Sequence, residues 1–111
     1  MLLDLNERLE LLKLLPSEGD YAALKSLRVA REIFSPNPKE ITQTDMVSEY
    51  GPDSKPYTNW NPQKASQLIK DCPVEKYIAG VIRDKLAALN KQQKLNQAQF
   101  SIYEKFVIDY T

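Results

Sequence analysis

The sequence predicts a mostly helical α+β domain, about four helices around one core with a small β-hairpin inserted between the second and third. Three observations carry this prediction. Apolar residues recur at helical spacing over residues 4–34 and again over 71–111. The stretch between them, 35–70, holds five of the seven prolines together with Gly51, so no long helix runs through it. Finally, 111 residues suffice for one core that buries roughly two-thirds of the unfolded surface. A single domain spanning 1–111 is therefore expected.

The first helix is expected over 5–15. Asp4 is placed to cap it, with Glu7 at the third helical position as in a capping box. Leu5, Leu9 and Leu12 make an inward stripe, and Leu11, Leu14 and Leu15 widen it, so this helix should be covered on more than one side. Pro16 stops it. Ser17 and Asp20 are alternative caps for a second helix reaching Phe34, in which Tyr21, Leu24, Leu27, Ala30 and Phe34 recur at helical spacing. Lys25, Arg28 and Glu32 fall on its opposite face and Arg31 on the border, and the short connection favours an antiparallel helix pair.

In the middle, residues 44–50 read as a strand, 51–56 as a turn-rich loop and 57–61 as a second strand. Residues 66–70 fit either a third short strand or a helical turn. From 73 to 91, Val74, Ile78, Val81, Ile82, Leu86 and Leu89 form one stripe, with Asp71 as a cap candidate and Pro73 in the first turn. Residues 91–94 link to a last helix capped by Asn96 with Gln99 three positions on. There Phe100, Tyr103, Val107 and Tyr110 face one way, and Ile102 and Phe106 extend that face.

Fifteen basic residues balance fifteen acidic ones, six against seven up to Glu40 and nine against eight after it, so there is no basic arm and no acidic tail. Histidine is absent and Cys72 is the only cysteine. Tetrahedral zinc sites, Cys-His or Ser-His nucleophile pairs, histidine-ligated haem and internal disulfides therefore lack their residues. No disulfide framework points to an intracellular compartment. The first eight residues carry too much charge for a signal-peptide core, and no stretch approaches the roughly 18 apolar residues of a membrane span. No cofactor, metal or membrane partner is expected.

Leu5-Asn6-Glu7-Arg8-Leu9, Leu14-Leu15-Pro16-Ser17-Glu18-Gly19-Asp20, Leu24-Lys25, Trp60-Asn61, and Leu95 followed by Ser101-Ile102-Tyr103-Glu104-Lys105-Phe106-Val107 resemble a group of small bacteriophage- and prophage-encoded proteins with no assigned activity. The resemblance spans most of the chain except 35–38 and 51–56. It implies a phage setting and the host bacterial cytoplasm as the place of action, or the virion for a structural component.

Each chemically suggestive constellation has a plainer counterpart. Glu7 with Glu10, and Asp45 with Glu49, are near pairs of carboxylates, but they sit among lysines and arginines without a third ligand, which favours solvated surface over catalysis. Cys72 at a helix start could have a lowered pKa, although a half-buried thiol packing as a small hydrophobe is the expected outcome. Lys25, Arg28 and Arg31 form a basic stripe, and Arg83, Lys85, Lys91 and Lys94 a second cluster. Neither has interleaved aromatics for base stacking, so a nucleic-acid partner is not expected.

Tyr50, Tyr57 and Trp60 cluster in the hairpin, whose tip carries Asp53 and Lys55. Tyrosine and tryptophan dominate binding hot spots because they bury a large area at low rotamer cost, and this makes the hairpin the candidate partner-binding element. The alternative is a satellite core in which Trp60 anchors the hairpin on the helices. With no G-x-G-x-x-G or P-loop motif, the expected function is non-enzymatic: protein–protein interaction in the infected cell that modulates or inhibits a host or defence protein. A virion or assembly component is the alternative, and a nucleic-acid-binding module stands behind it.

Overall fold

The computed structural model describes the backbone of residues 1–50 and 56–109 and the side chains of 1–48 and 58–109. Asp53 and Lys55, the side chains of Tyr50 and Tyr57, and Tyr110 lie outside the described residues. The elements run β1 (Leu2–Leu3), α1 (Leu5–Leu14), α2 (Tyr21–Phe34), α3 (Pro38–Gln43), β2 (Val47–Tyr50), β3 (Pro56–Asn59), α4 (Pro62–Ala65), β4 (Lys70–Asp71), α5 (Lys76–Lys91) and α6 (Gln97–Tyr103). A π-helical turn over Glu104–Ile108 continues α6, and the Asp109 amide closes it on the Glu104 carbonyl at 2.8 Å.

The fold is mostly helical with two small antiparallel sheets, as expected in outline. Six α-helices replace the expected four among the described residues. Both additions are short proline-started helices inside the segment expected to be loop and hairpin. Pro38 and Pro62 each occupy the first turn, where the missing N–H costs nothing, behind Asn37 and Asn61, whose side chains accept the free amides of that turn.

The caps at Asp4 and Asn96 form complete capping boxes, and Asp20 rather than Ser17 caps α2 by accepting the Ala23 amide at 2.8 Å. Asp71 does not cap α5. It lies in β4, opposite Leu2, while Lys70 pairs with Leu3. Glu75 begins α5 without a side-chain cap. The second small sheet is the hairpin, with Val47 opposite Asn59, Ser48 opposite Thr58, Glu49 opposite Tyr57 and Tyr50 opposite Pro56.

The core gathers Leu27, Ala30 and Phe34 from α2, Ile78, Ile82 and Leu86 from α5, and Ile102 and Phe106 from the C-terminal helix, against Leu11, Leu14 and Leu15. Several expected inward residues point out instead. Tyr21 is 82% exposed and Phe100 62% exposed, and Leu24 is also exposed. Each sits on a helix whose buried stripe is narrower than its apolar content, because the neighbouring helices cover only one side.

The first helix departs in the opposite direction. Besides its leucines it buries Glu7, Arg8 and Glu10, while Leu9 and Leu12 are half-buried. No helix of the described residues is long and apolar enough to cross a membrane.

Candidate binding site at the hairpin and its mount

The hairpin stands on a polar clamp built from α1, α3 and α4. Trp60, just past β3, is half-buried and donates its indole N–H to Asn6 Oδ1 of α1 at 2.7 Å. The Asn6 amide in turn donates to the Pro62 carbonyl at 2.8 Å, so one side chain holds both the strand exit and the start of α4. On the entry side, the Asn61 amide donates to the Thr44 carbonyl at 2.8 Å, and the fully buried Thr44 hydroxyl donates to the Glu40 carbonyl at 2.8 Å. Asp45 turns the chain into β2 with φ at 53°, a left-handed conformation that aspartate tolerates, and it pairs with Lys64 at 3.2 Å.

Beneath this lies the Arg8–Glu40 ion pair. Arg8 is fully buried, and both of its terminal nitrogens bond the Glu40 carboxylate, Nη1 to Oε1 at 3.1 Å and Nη2 to Oε2. Nη2 also reaches the Leu68 carbonyl at 3.4 Å, and the Asn37 amide donates to Glu40 Oε1 at 3.1 Å. The guanidinium bonds hold the Glu40 carboxyl below its usual range despite the burial that opposes them. A charged residue that is otherwise almost never enclosed is thus made tolerable by a planar, two-pronged partner.

The carboxylates expected on solvated surface divide. Glu7 is buried and accepts Lys105 at 2.7 Å and the Asp4 amide at 3.0 Å, while Glu10 is buried and accepts Gln99 Nε2 at 3.2 Å. Neither is solvated, because the C-terminal helix packs over this side of α1. Asp45 is exposed as expected, and the Glu49 side chain lies outside the described residues. Burial, aided by the neighbouring Glu7 charge, raises the Asp4 carboxyl above its ordinary value although backbone N–H groups and Lys105 oppose it. Glu7 Oε2 and Arg8 Nε are buried without a hydrogen-bond partner among the described residues. Among the described residues no three His, Cys, Asp or Glu side chains gather as metal ligands.

Cys72 is fully enclosed rather than half-buried, and desolvation raises its thiol above the usual value, the opposite of the activated cysteine weighed from sequence. Lys25 and Arg28 are exposed as expected and share a depression of about 200 Å³ with Tyr21 and Leu24, so an aromatic does accompany them. Arg31 leaves this face and donates to the Pro16 carbonyl, tying α2 to the end of α1. Arg83, Lys85, Lys91 and Lys94 all remain exposed.

A cleft of about 370 Å³ between α2 and the start of α5 was not anticipated. Val29, Ile33, Val74 and Ile78 line it, and Ser26 donates to Glu75 at 3.1 Å. Its signal in the sequence was Val29 and Ile33, an apolar pair four apart beside the main stripe of α2.

The structure therefore joins Trp60 to the mount of the hairpin, places Tyr50 and Tyr57 in its paired strands, and leaves Lys25 and Arg28 on a separate helix face. Comparison of the chain with protein-family models, curated proteins and solved structures finds no match.

Proposed function

We propose that this chain is a non-enzymatic binding protein that engages a protein partner through the β2–β3 hairpin, and that in a phage-infected bacterial cell it modulates a host or defence protein. The observation that carries this reading is a two-stranded ribbon whose strands pair only with each other among the described residues, held by Trp60, Asn6, Thr44 and Asn61 on a buried ion pair. A free-standing hairpin is marginal in water, so its mount supplies the order that the ribbon lacks. Pre-ordering a recognition element lowers the entropic cost of binding.

The test is affinity capture from infected cells, run beside thermal melting, for the wild type, Tyr50→Ala and Tyr57→Ala. The expected result is partner binding weakened by about 1–3 kcal/mol with nearly unchanged melting. Variants that melt early yet keep the partner whenever folded would make the hairpin merely structural. Capture of virion proteins alone would favour an assembly role instead.

A further inference from the structure

Independently of the hairpin, we propose that the cleft between α2 and the start of α5 is a second docking surface, and that its occupant is an amphipathic helix of another protein with lysine or arginine at one end. The groove is longer than the apolar cleft alone. Beyond the Ser26–Glu75 hydrogen bond it continues into a depression of about 320 Å³, lined by Asp20, Ala22, Ala23 and Tyr77. Along α2 its wall is made by Ala22, Ser26, Val29 and Ile33, spaced four, three and four residues apart, so they form one stripe of about three turns, roughly 16 Å long. Val29 is 44% and Tyr77 43% exposed, which is surface that a covering helix would remove from water.

The two ends of the groove differ in charge. Asp20 and Glu75 border the end at the start of α2. Each spends one oxygen within the chain, on the Ala23 amide and on the Ser26 hydroxyl, and neither has a cation in ion-pair contact among the described residues. At the other end Lys70 donates to the Ile33 carbonyl at 3.0 Å. Positive charge on an occupant is therefore favoured beside Asp20 and Glu75 and opposed beside Lys70, which sets the direction in which the segment lies. A guanidinium at the acidic end can also rest on the Tyr77 ring.

An extended segment fits this groove poorly. The walls supplied by α2 and α5 present side chains and no strand edge, so an extended chain would leave its own N–H and C=O groups unpaired against Val29, Ile33 and Ile78. A helix satisfies its own backbone and offers side chains at three- and four-residue spacing, the same spacing as the stripe it would cover.

The test uses the full chain as bait for a displayed library of helix-forming peptides about four turns long. Enriched peptides should repeat apolar residues at i, i+3, i+4 and i+7 and gather lysine or arginine at one end. Val29→Lys places a charge on the apolar wall from an exposed position, and it should weaken these peptides by more than about tenfold. Asp20→Asn/Glu75→Gln keeps an acceptor for the α2 cap and for Ser26 while removing both charges. It should weaken them about three- to tenfold at low salt, with the difference fading as salt rises. Arg28→Ala, in a separate depression of α2, and Tyr57→Ala, in the hairpin, should both bind within about twofold of wild type.

Failure to enrich any peptide, equal binding by Val29→Lys, or a double variant as tight as wild type at low salt would each overturn the proposal. Loss of the peptides in Tyr57→Ala would do the same by returning them to the hairpin. Self-association that Val29→Lys abolishes would make a second copy of the chain the occupant, and the proposed foreign helix would fall.

Discussion

Replacing Arg8 by methionine tests the mount of the hairpin at its most consequential point. The substitution keeps an unbranched side chain in a fully buried place but withdraws three hydrogen bonds, two to Glu40 and one to the Leu68 carbonyl. Among the described residues Glu40 then keeps the Asn37 backbone N–H as its side-chain donor, so a carboxylate stays beneath the surface without its paired cation, with Lys70 acting on it only from a longer distance. Removing one partner of a buried ion pair costs about 3–5 kcal/mol, a large share of the roughly 5–15 kcal/mol that holds a domain of this size together.

The double variant Arg8→Met/Glu40→Leu removes the stranded charge. It should recover about 1–3 kcal/mol of that loss, even though Glu40 also closes the capping box of α3. Urea unfolding at neutral pH with an unchanged slope gives both values, and the cycle isolates the pair. The pH dependence has a definite sign. The folded carboxyl of Glu40 is held below its ordinary value of 4.5, chiefly by Arg8, so its stabilisation is complete above that value and is lost as pH falls through the lowered folded value. The stability gap between wild type and Glu40→Gln should therefore close only in acid. A cost below about 1 kcal/mol for Arg8→Met, or a double variant less stable than the single, would refute the reasoning.

The other predictions are more local. Trp60→Ala should cost about 2–3 kcal/mol in thermal or urea unfolding, less than the ~3–5 of a fully enclosed ring, because the indole is only half-buried; Trp60→Phe should lose about 1 kcal/mol with the bond to Asn6. Cys72 should resist a thiol reagent in native buffer and react stoichiometrically in denaturant, and rapid native labelling would contradict its enclosure. Lys25 and Arg28, even with Tyr21 beside them, should give no micromolar binding to single- or double-stranded oligonucleotides at physiological salt, because a balanced chain releases few counterions. Tight, steeply salt-dependent binding lost in Lys25→Glu/Arg28→Glu would move function to that face. Melting should be cooperative and unaffected by chelator, as follows from a core made of apolar side chains.

What could be read from the sequence was what neighbours along the chain decide. The boxes at Asp4/Glu7 and Asn96/Gln99 are satisfied within one turn, so residue type and spacing suffice to find them. The box at Asn37/Glu40 is just as local, but the flanking prolines were weighed as breakers when Pro38 in fact starts a helix. Of the two-residue strands, β4 was touched only at Lys70, the end of the 66–70 stretch that fits a strand or a helical turn, and β1 leaves no pattern to detect, since their pairing is made by backbone groups about seventy positions apart.

The same distinction explains the candidate site. Trp60 was legible as an anchor because a large aromatic in a small hairpin needs support, whereas its partner Asn6, 54 residues away, carried no sign of the role. On α1 the lack of a third ligand nearby assigned Glu7 and Glu10 to solvated surface, and nothing along the chain marked Arg8 as buried. They are buried because Lys105, Glu40 and Gln99 arrive from positions 98, 32 and 89 residues distant to satisfy them. A polar side chain is read as exposed only because the residue that would neutralise it is not a neighbour in sequence. A helix with more leucine than one face can use, crowded by charge at the remaining positions, is the pattern a central helix leaves when its polar side is paired rather than wet. In this chain that paired side also carries the hairpin, so the stability of the core and the mounting of the ribbon proposed to bind a partner pass through the same arginine.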